Sequence, residues 1–185
     1  MNSSAEYHEQ KTKYTEYIIK HIKNVISAYH KYGKIILEYI EVTQTDLAGV
    51  VYSHDKSKFS NEEFEAYRVK FYPTNIETKD KALNTVKEQF NKAWLHHIRN
   101  NPHHPEYWTY VGQENEVVIL DMPDIYIAEM ILDWIAMGMA FNNSCYDYYE
   151  KEGYKKPMSN NTRDKVEKIL QVIKEYDMEE ISKTS

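Results

Sequence analysis

Residues 14–41 read YTEYIIKHIKNVISAYHKYGKIILEYIE and give the clearest indication of the fold class. Apolar side chains recur every three or four positions along this stretch, as at Ile18, Ile22 and Val25. That spacing places them on one face of an α-helix. The stretch therefore predicts one long helix with a buried face, and His21 lies on that face.

Similar patterns predict the rest of the secondary structure. Further helices are expected from Thr45 or Asp46 to about His54, from Ser60 to before Pro73, over roughly 80–100, from Pro123 to about Lys151, and from Asn161 or Thr162 onward. Ser60 and Glu63 have the spacing of a capping box, and residues 75–79 are expected to form a polar loop. Aromatic and β-branched residues flank GQENE and predict a short β-hairpin near 107–120. We expect an all-α fold, a single helical domain of about six helices.

The length and composition also favour one helical domain. A chain of 185 residues with 42% hydrophobic content is large enough to bury a sizeable core. Only five glycines and five prolines accompany 17 tyrosines, which favours helices over a sandwich or barrel. We expect a flexible N-terminus over 1–12 and a helical domain over 13–181.

The charge and the apolar runs exclude several classes of partner. The formal net charge of −6 leaves no basic excess for binding a nucleic-acid backbone. No run of apolar residues is long enough to span a membrane, and the polar N-terminus lacks the apolar core of a signal peptide. Cys145 is the only cysteine, which suggests a reducing compartment. We therefore expect a soluble cytoplasmic protein.

Most of the histidines fall on the elements that carry the longest apolar runs: His21, His54, His96, His97, His103 and His104. Imidazole and carboxylate are the usual ligands of first-row divalent metals when cysteine is absent. Asp133 lies within EMILDWIAM, residues 129–137, where a buried carboxylate needs a cation or several donors. Glu129 lies one helical turn earlier on the same face. The sequence therefore predicts a divalent-metal site.

His54 and Asp55 are adjacent in the chain and are the centre of this prediction. Adjacent helical side chains point about 100° apart, so both can reach one ion only at a helix end. The end of the second predicted helix supplies that position.

The ordered set His21, His54-Asp55, His97, His104 and Asp133 resembles the H…HD…H…H…D signature of the HD-domain superfamily, which comprises all-helical metal-dependent phosphohydrolases and their relatives. The string HDKSKF, which includes Lys58, is similar to its HD-x-x-K motif. More narrowly, HDKSKFS, AWLHHIRNNPHH with EYW, and EMILDW resemble an uncharacterised family of small bacterial and phage proteins. That resemblance covers about residues 14–175.

The superfamily resemblance implies a specific set of ligands. His21, His54, Asp55 and Asp133 would hold a first divalent metal, and Asp55 would bridge to a second ion held by His97 and His104. The resemblance allows one or two ions, and Mn, Fe, Mg, Co and Zn are all compatible with these ligands. Because HH occurs twice, His96 could replace His97 and His103 could replace His104.

The resemblance also implies a reaction class. We expect a metal-dependent phosphohydrolase that uses a metal-activated water on a small phosphorylated substrate, which would be a phosphomonoester, a nucleotide or a phosphodiester. Lys58 would balance charge in the transition state. Glu129 would transfer a proton.

Other interpretations of the same residues are open. Some HD-domain relatives are di-iron oxygenases, and a non-catalytic interaction module could use the metal for stability alone. A phosphohydrolase needs Lys58 and an open coordination position, whereas a structural metal is fully ligated. His54 and Asp133 could also form a buried polar pair that binds nothing. Arg68 is expected at an exposed helix end.

Overall fold

The computed structural model describes residues 3–80 and 84–184 of the chain. The helices in these ranges are α1 (Ser3–Leu37), α2 (Gln44–Val51), α3 (Phe64–Phe71), α4 (Asn75–Asp80), α5 (Asn84–Asn100), α6 (Asp124–Phe141), α7 (Cys145–Lys151) and α8 (Asn160–Thr184). Strands β1 (Thr109–Val111) and β2 (Val117–Ile119) form an antiparallel hairpin in which Tyr110 lies opposite Val118. The predicted all-α class with one short hairpin is confirmed.

The first helix is longer than its apolar pattern indicates. It begins at Ser3 rather than at Tyr14, so residues 3–12, where we expected a flexible chain, are helical. Polar contacts extend it, since Lys13 pairs with Glu9 one turn earlier at 2.6 Å. The division into a flexible segment 1–12 and a domain 13–181 stays a prediction. Within the described part of the chain, none of the helices contains an apolar stretch that could cross a membrane.

The structure has more helices than the expected six because two regions differ from the prediction. The helix expected from Pro123 to Lys151 is divided, since Asn142 adopts a left-handed conformation with φ 53° and ends α6. The Ser144 hydroxyl then accepts from the Asp147 backbone N–H and caps α7. The expected loop over 75–79 is helix α4, and residues 81–83, where the predicted fourth helix begins, lie outside the described residues.

Two compact units make up the chain, and they are interleaved in sequence. The first unit contains the described residues of Met1–Ile22 and Asp55–Asn101, and the second contains those of Lys23–His54 and Pro102–Ser185. The first unit has a small apolar core that includes Tyr14, Ile18, Tyr67 and Ala93. The second has a larger core from the apolar faces of its helices, which includes Ile36, Leu47, Ile131, Leu132 and Ile169. The chain passes from the second unit back to the first between His54 and Asp55.

Arg68 is buried, so the expectation of an exposed helix end is wrong. Its side chain is 1% exposed, and its guanidinium donates to both carboxylate oxygens of Glu77, at 2.5 and 2.9 Å, and to Glu65. Burial of a guanidinium requires such partners. Helix α4 supplies Glu77, which explains why a pattern that treated 75–79 as a loop missed the pair.

The Arg68–Glu77 pair predicts a pH-dependent contribution to stability. The Arg68 hydrogen bond lowers the pKa of Glu77 to about 2, so the contribution is complete above the ordinary carboxyl pKa of 4.5 and is lost as the pH falls toward 2. We expect Glu77→Gln to lower the free energy of unfolding at pH 7 by on the order of 2 kcal/mol. In urea unfolding followed by circular dichroism, the difference from wild type should shrink between pH 4.5 and pH 2.

Glu88→Gln is the matched control, because Glu88 forms an exposed pair with Lys92 on α5. This variant should unfold at nearly the wild-type urea concentration. A Glu77→Gln deficit that stays constant over the whole acid range would contradict the prediction.

Candidate metal centre

The His54-Asp55 doublet lies just beyond the end of α2, as predicted. The backbone N–H of His54 donates to the Val51 carbonyl at 3.3 Å, and Asp55 then adopts the left-handed conformation with φ 56° and ψ 20°. Non-glycine residues pay about 1 kcal/mol for that conformation, which aspartate tolerates better than most. The chain turns sharply there into a 3₁₀ turn over Lys56–Phe59. Both consecutive side chains are buried in consequence.

In the first unit, the two oxygens of Asp55 face two different histidines. Asp55 Oδ2 lies 3.4 Å from His21 Nε2, and Oδ1 lies 3.4 Å from His97 Nε2. Helix α1 supplies His21 and helix α5 supplies His97, and all three side chains are buried. Lys58 Nζ donates to Asp55 Oδ2. A single carboxylate is therefore shared between two imidazoles and one ammonium group.

Glu63 holds His97 from the opposite side of its ring. Its Oε2 lies 2.9 Å from His97 Nδ1, and its Oε1 lies 2.8 Å from His96 Nδ1. Burial alone would raise the pKa of the Glu63 carboxyl, but the hydrogen bond and charge of His97, with a hydrogen bond from His96, bring that pKa below its ordinary value. An ionised carboxylate only accepts hydrogen bonds, so His97 Nδ1 is the donor. Asn101 Nδ2 also approaches this ring, but its amide protons bond to Ser57 Oγ and the His97 carbonyl oxygen, each at 2.7 Å.

Because Nδ1 of His97 carries the proton that it donates to Glu63, the contact between the other ring nitrogen and Asp55 indicates what could lie between them. When the ring is neutral and Nδ1 carries the proton, Nε2 presents a lone pair to Asp55 Oδ1 at 3.4 Å. Two electron-pair donors at that distance repel unless a proton or a metal ion lies between them. Two ligands of one tetrahedral ion, each about 2.1 Å from it, lie about 3.4 Å apart. The contact therefore fits a pair of metal ligands.

The second unit contains a cluster of the same design. Glu129 Oε1 lies 2.9 Å from His54 Nδ1 and 3.3 Å from His103 Nδ1. Burial would raise the pKa of Glu129, but hydrogen bonds from His103 and His54 and their charges lower it, so the carboxylate accepts from both rings. His54 Nε2 then faces Asp133 Oδ1 at 3.7 Å. Ligand atoms of His54, His103 and Asp133 lie within 4.8 Å of one another, so this group could hold a metal ion.

The structure distinguishes between His96 and His97, which the sequence left as alternatives. His97 rather than His96 faces Asp55, and the His96 side chain is 32% exposed. The second pair stays open, because His103 and the half-buried His104 both offer ligand atoms to groups that could hold a metal ion, and their ring centroids lie 4.3 Å apart. The role of His104 as a ligand stays a prediction.

Glu63 is the main functional candidate that the sequence did not reveal. The sequence predicts that it is the second member of a capping box with Ser60, but no side chain caps the start of α3 in this way. Its carboxylate is fully buried and contacts two imidazoles instead. The Ser60 and Glu63 spacing fits both roles, so no local signal separates them.

Together these features define an all-helical protein with buried histidine and carboxylate clusters of a metal-binding type. The chain belongs to the family described as "Family of unknown function (DUF5662)", whose sequence model matches residues 10–172. This match confirms the narrower resemblance to an uncharacterised family, and membership of the HD-domain superfamily stays a prediction. No curated protein and no solved structure matches the chain significantly.

The contacts of Glu63 predict its effect on metal binding. We expect Glu63→Gln to weaken the affinity for a divalent metal about tenfold or more, because an amide cannot accept from both imidazoles and so leaves His97 less well oriented. Isothermal titration of the metal-free protein with Mn²⁺ would measure this. The neighbouring Glu62 is exposed, so Glu62→Gln should bind like wild type. Equal affinities for the two variants would contradict an orienting role for Glu63.

Proposed function

We propose that the protein is a metal-dependent phosphohydrolase that acts on a phosphomonoester, a nucleotide or a phosphodiester. The observation that carries this proposal is the buried Asp55 carboxylate, whose two oxygens face the Nε2 atoms of His21 and His97. Cytoplasmic localisation is part of the proposal, because a reducing compartment suits a chain with one cysteine.

The donor atoms of both clusters fit a divalent cation. The first unit offers His21, Asp55 and His97, and the second offers His54, His103 and Asp133. Imidazole nitrogen with carboxylate oxygen suits Mn, Fe, Co or Zn, and the carboxylates suit Mg. His54 and Asp55, one member of each ligand set, are adjacent in the sequence. A bridging role for Asp55 is supported by its two oxygens, each of which has its own histidine.

The surrounding residues suit phosphoryl transfer to water. A divalent cation at these ligands would lower the pKa of a bound water and neutralise phosphoryl charge. Lys58 supports the proposal most directly, since its ammonium contacts Asp55 yet its side chain is 15% exposed and so accessible to a substrate. At that position it would stabilise negative charge that develops on phosphoryl oxygens.

The contacts of Glu129 favour an orienting role. Its carboxylate accepts from the Nδ1 atoms of His54 and His103, which directs each Nε2 atom away from it. Its expected role in proton transfer stays a prediction.

Metal content tests the first part of the proposal. We expect protein purified without chelator to contain Mn, Fe, Co, Zn or Mg, and His54→Ala and Asp133→Ala to contain much less, because each removes a proposed ligand. Elemental analysis by mass spectrometry would measure this. His8→Ala is the matched control, since His8 is exposed on α1. Unchanged metal content in both ligand variants would disprove the metal site.

Hydrolysis tests the second part. The metal-loaded protein should hydrolyse at least one substrate in a screen of nucleotides, generic phosphomonoesters and phosphodiesters. We expect Lys58→Met to lower kcat about 100-fold while metal is retained, because it removes a charge beside Asp55. Lys56→Met is the control, since Lys56 is exposed two residues earlier. Retained metal with no hydrolysis of any phosphate ester would contradict the proposal and favour an oxygenase or a structural metal.

A further inference from the structure

Two tyrosine hydroxyls in the core of the first unit have no hydrogen-bond partner among the described residues. They belong to Tyr14, which is 1% exposed, and to Tyr67, which is 6% exposed. Folded proteins satisfy nearly all buried polar groups, because a desolvated hydroxyl without a partner costs free energy. Two such groups in one small core indicate an acceptor that comes from outside the chain.

Both phenols lie on the helix faces that build the Asp55 cluster. Tyr14 precedes His21 by two turns of α1, so the two residues share the buried face of that helix. Tyr67 follows Glu63 by one turn of α3, and its ring lies 5.9 Å from the ring of His97. Both phenols therefore lie in the same unit as the proposed ligands His21, Asp55 and His97, on the helix face of His21 and beside the ring of His97.

Electrostatics also connects the phenols to this cluster. Burial raises the pKa of Tyr14, and Tyr67, Asp55 and Glu63 raise it further. Burial likewise raises the pKa of Tyr67, with contributions from Glu63 and Asp55. Both side chains consequently keep their protons at neutral pH, so each is a hydrogen-bond donor.

The aromatic rings around the two phenols hold them in place. The Tyr14 ring packs against Phe64 and Tyr72, with centroids 5.0 and 5.8 Å apart, and the Tyr67 ring packs against Phe90 at 5.1 Å. Donors fixed in this way need no reorganisation when a ligand arrives.

We propose that Tyr14 and Tyr67 bind the phosphoryl group of the substrate by donating hydrogen bonds to its oxygen atoms. This inference rests on the proposed function and identifies two further residues that would contact substrate. Asp55 and Glu63 place negative charge in the same unit, so an anion would be repelled in the absence of a cation. We therefore expect phosphate to bind to the metal-loaded protein and not to the metal-free protein.

Inorganic phosphate is a suitable probe, with Tyr14→Phe and Tyr67→Phe as variants that keep the packed rings. Isothermal titration of the metal-loaded protein should give an affinity about tenfold weaker for each variant, which is the usual loss of a hydrogen bond to a charged group. Tyr72→Phe is the control, because Tyr72 belongs to the same aromatic cluster and is only half-buried. It should bind phosphate like wild type.

Thermal unfolding of the metal-free protein provides a second measurement. Removal of a buried hydroxyl that lacks a partner should leave the Tm unchanged or raise it, whereas a hydroxyl with a structural hydrogen bond would lower the Tm when removed. A clear fall in Tm for both phenylalanine variants would overturn the inference.

The outcomes separate this inference from the proposed function. Wild-type protein that contains metal but binds phosphate no more tightly than Tyr14→Phe and Tyr67→Phe would overturn the role of the phenols and leave the metal site intact. A metal-loaded wild type that binds no phosphate would likewise overturn the role of the phenols and leave the metal site intact. Wild-type protein that takes up no metal would overturn both.

Discussion

The feature on which the site depends is a carboxylate buried among imidazoles. Asp55 faces histidines with both of its oxygens, while a second carboxylate, Glu63, fixes the far side of one of those rings. An ionised carboxylate away from water needs compensating positive charge. Lys58 supplies part of it, and a metal ion would supply more. Three elements of the fold supply these groups: α1 carries His21, α5 carries His97, and the turn after α2 carries Asp55.

The two clusters repeat one chemical scheme. In each, a glutamate accepts from the Nδ1 atoms of two histidines, and at least one of those rings directs Nε2 toward an aspartate. The first unit adds an ammonium group and two buried phenols. For an acidic chain, a site of this composition attracts an anion only after it has bound a cation. Metal binding and substrate binding would therefore be thermodynamically coupled.

Helical periodicity predicts most of the fold, because each helix must bury an apolar face. Periodicity left His96 and His97 as alternatives, and the structure chooses His97, which shares its helix face with Ala93 and Phe90 in the core of the first unit. The boundary between α6 and α7 has a recognisable signal in Asn142 followed by Ser144. The burial of Glu63 and Arg68 could not be predicted in this way. Their burial depends on partners that are distant in sequence or lie in an unexpected helix, so local patterns carry no information about it.

The left-handed backbone of Asp55 has a consequence for comparing members of this family. Asparagine adopts that conformation as readily as aspartate and has nearly the same shape, but it carries no charge. The two residues are also one nucleotide substitution apart in the genetic code. A gene could therefore lose the buried Asp55 carboxylate in a single step while the encoded chain keeps its turn. An asparagine at this position in another member would mark a folded protein that has lost the chemistry proposed for this one.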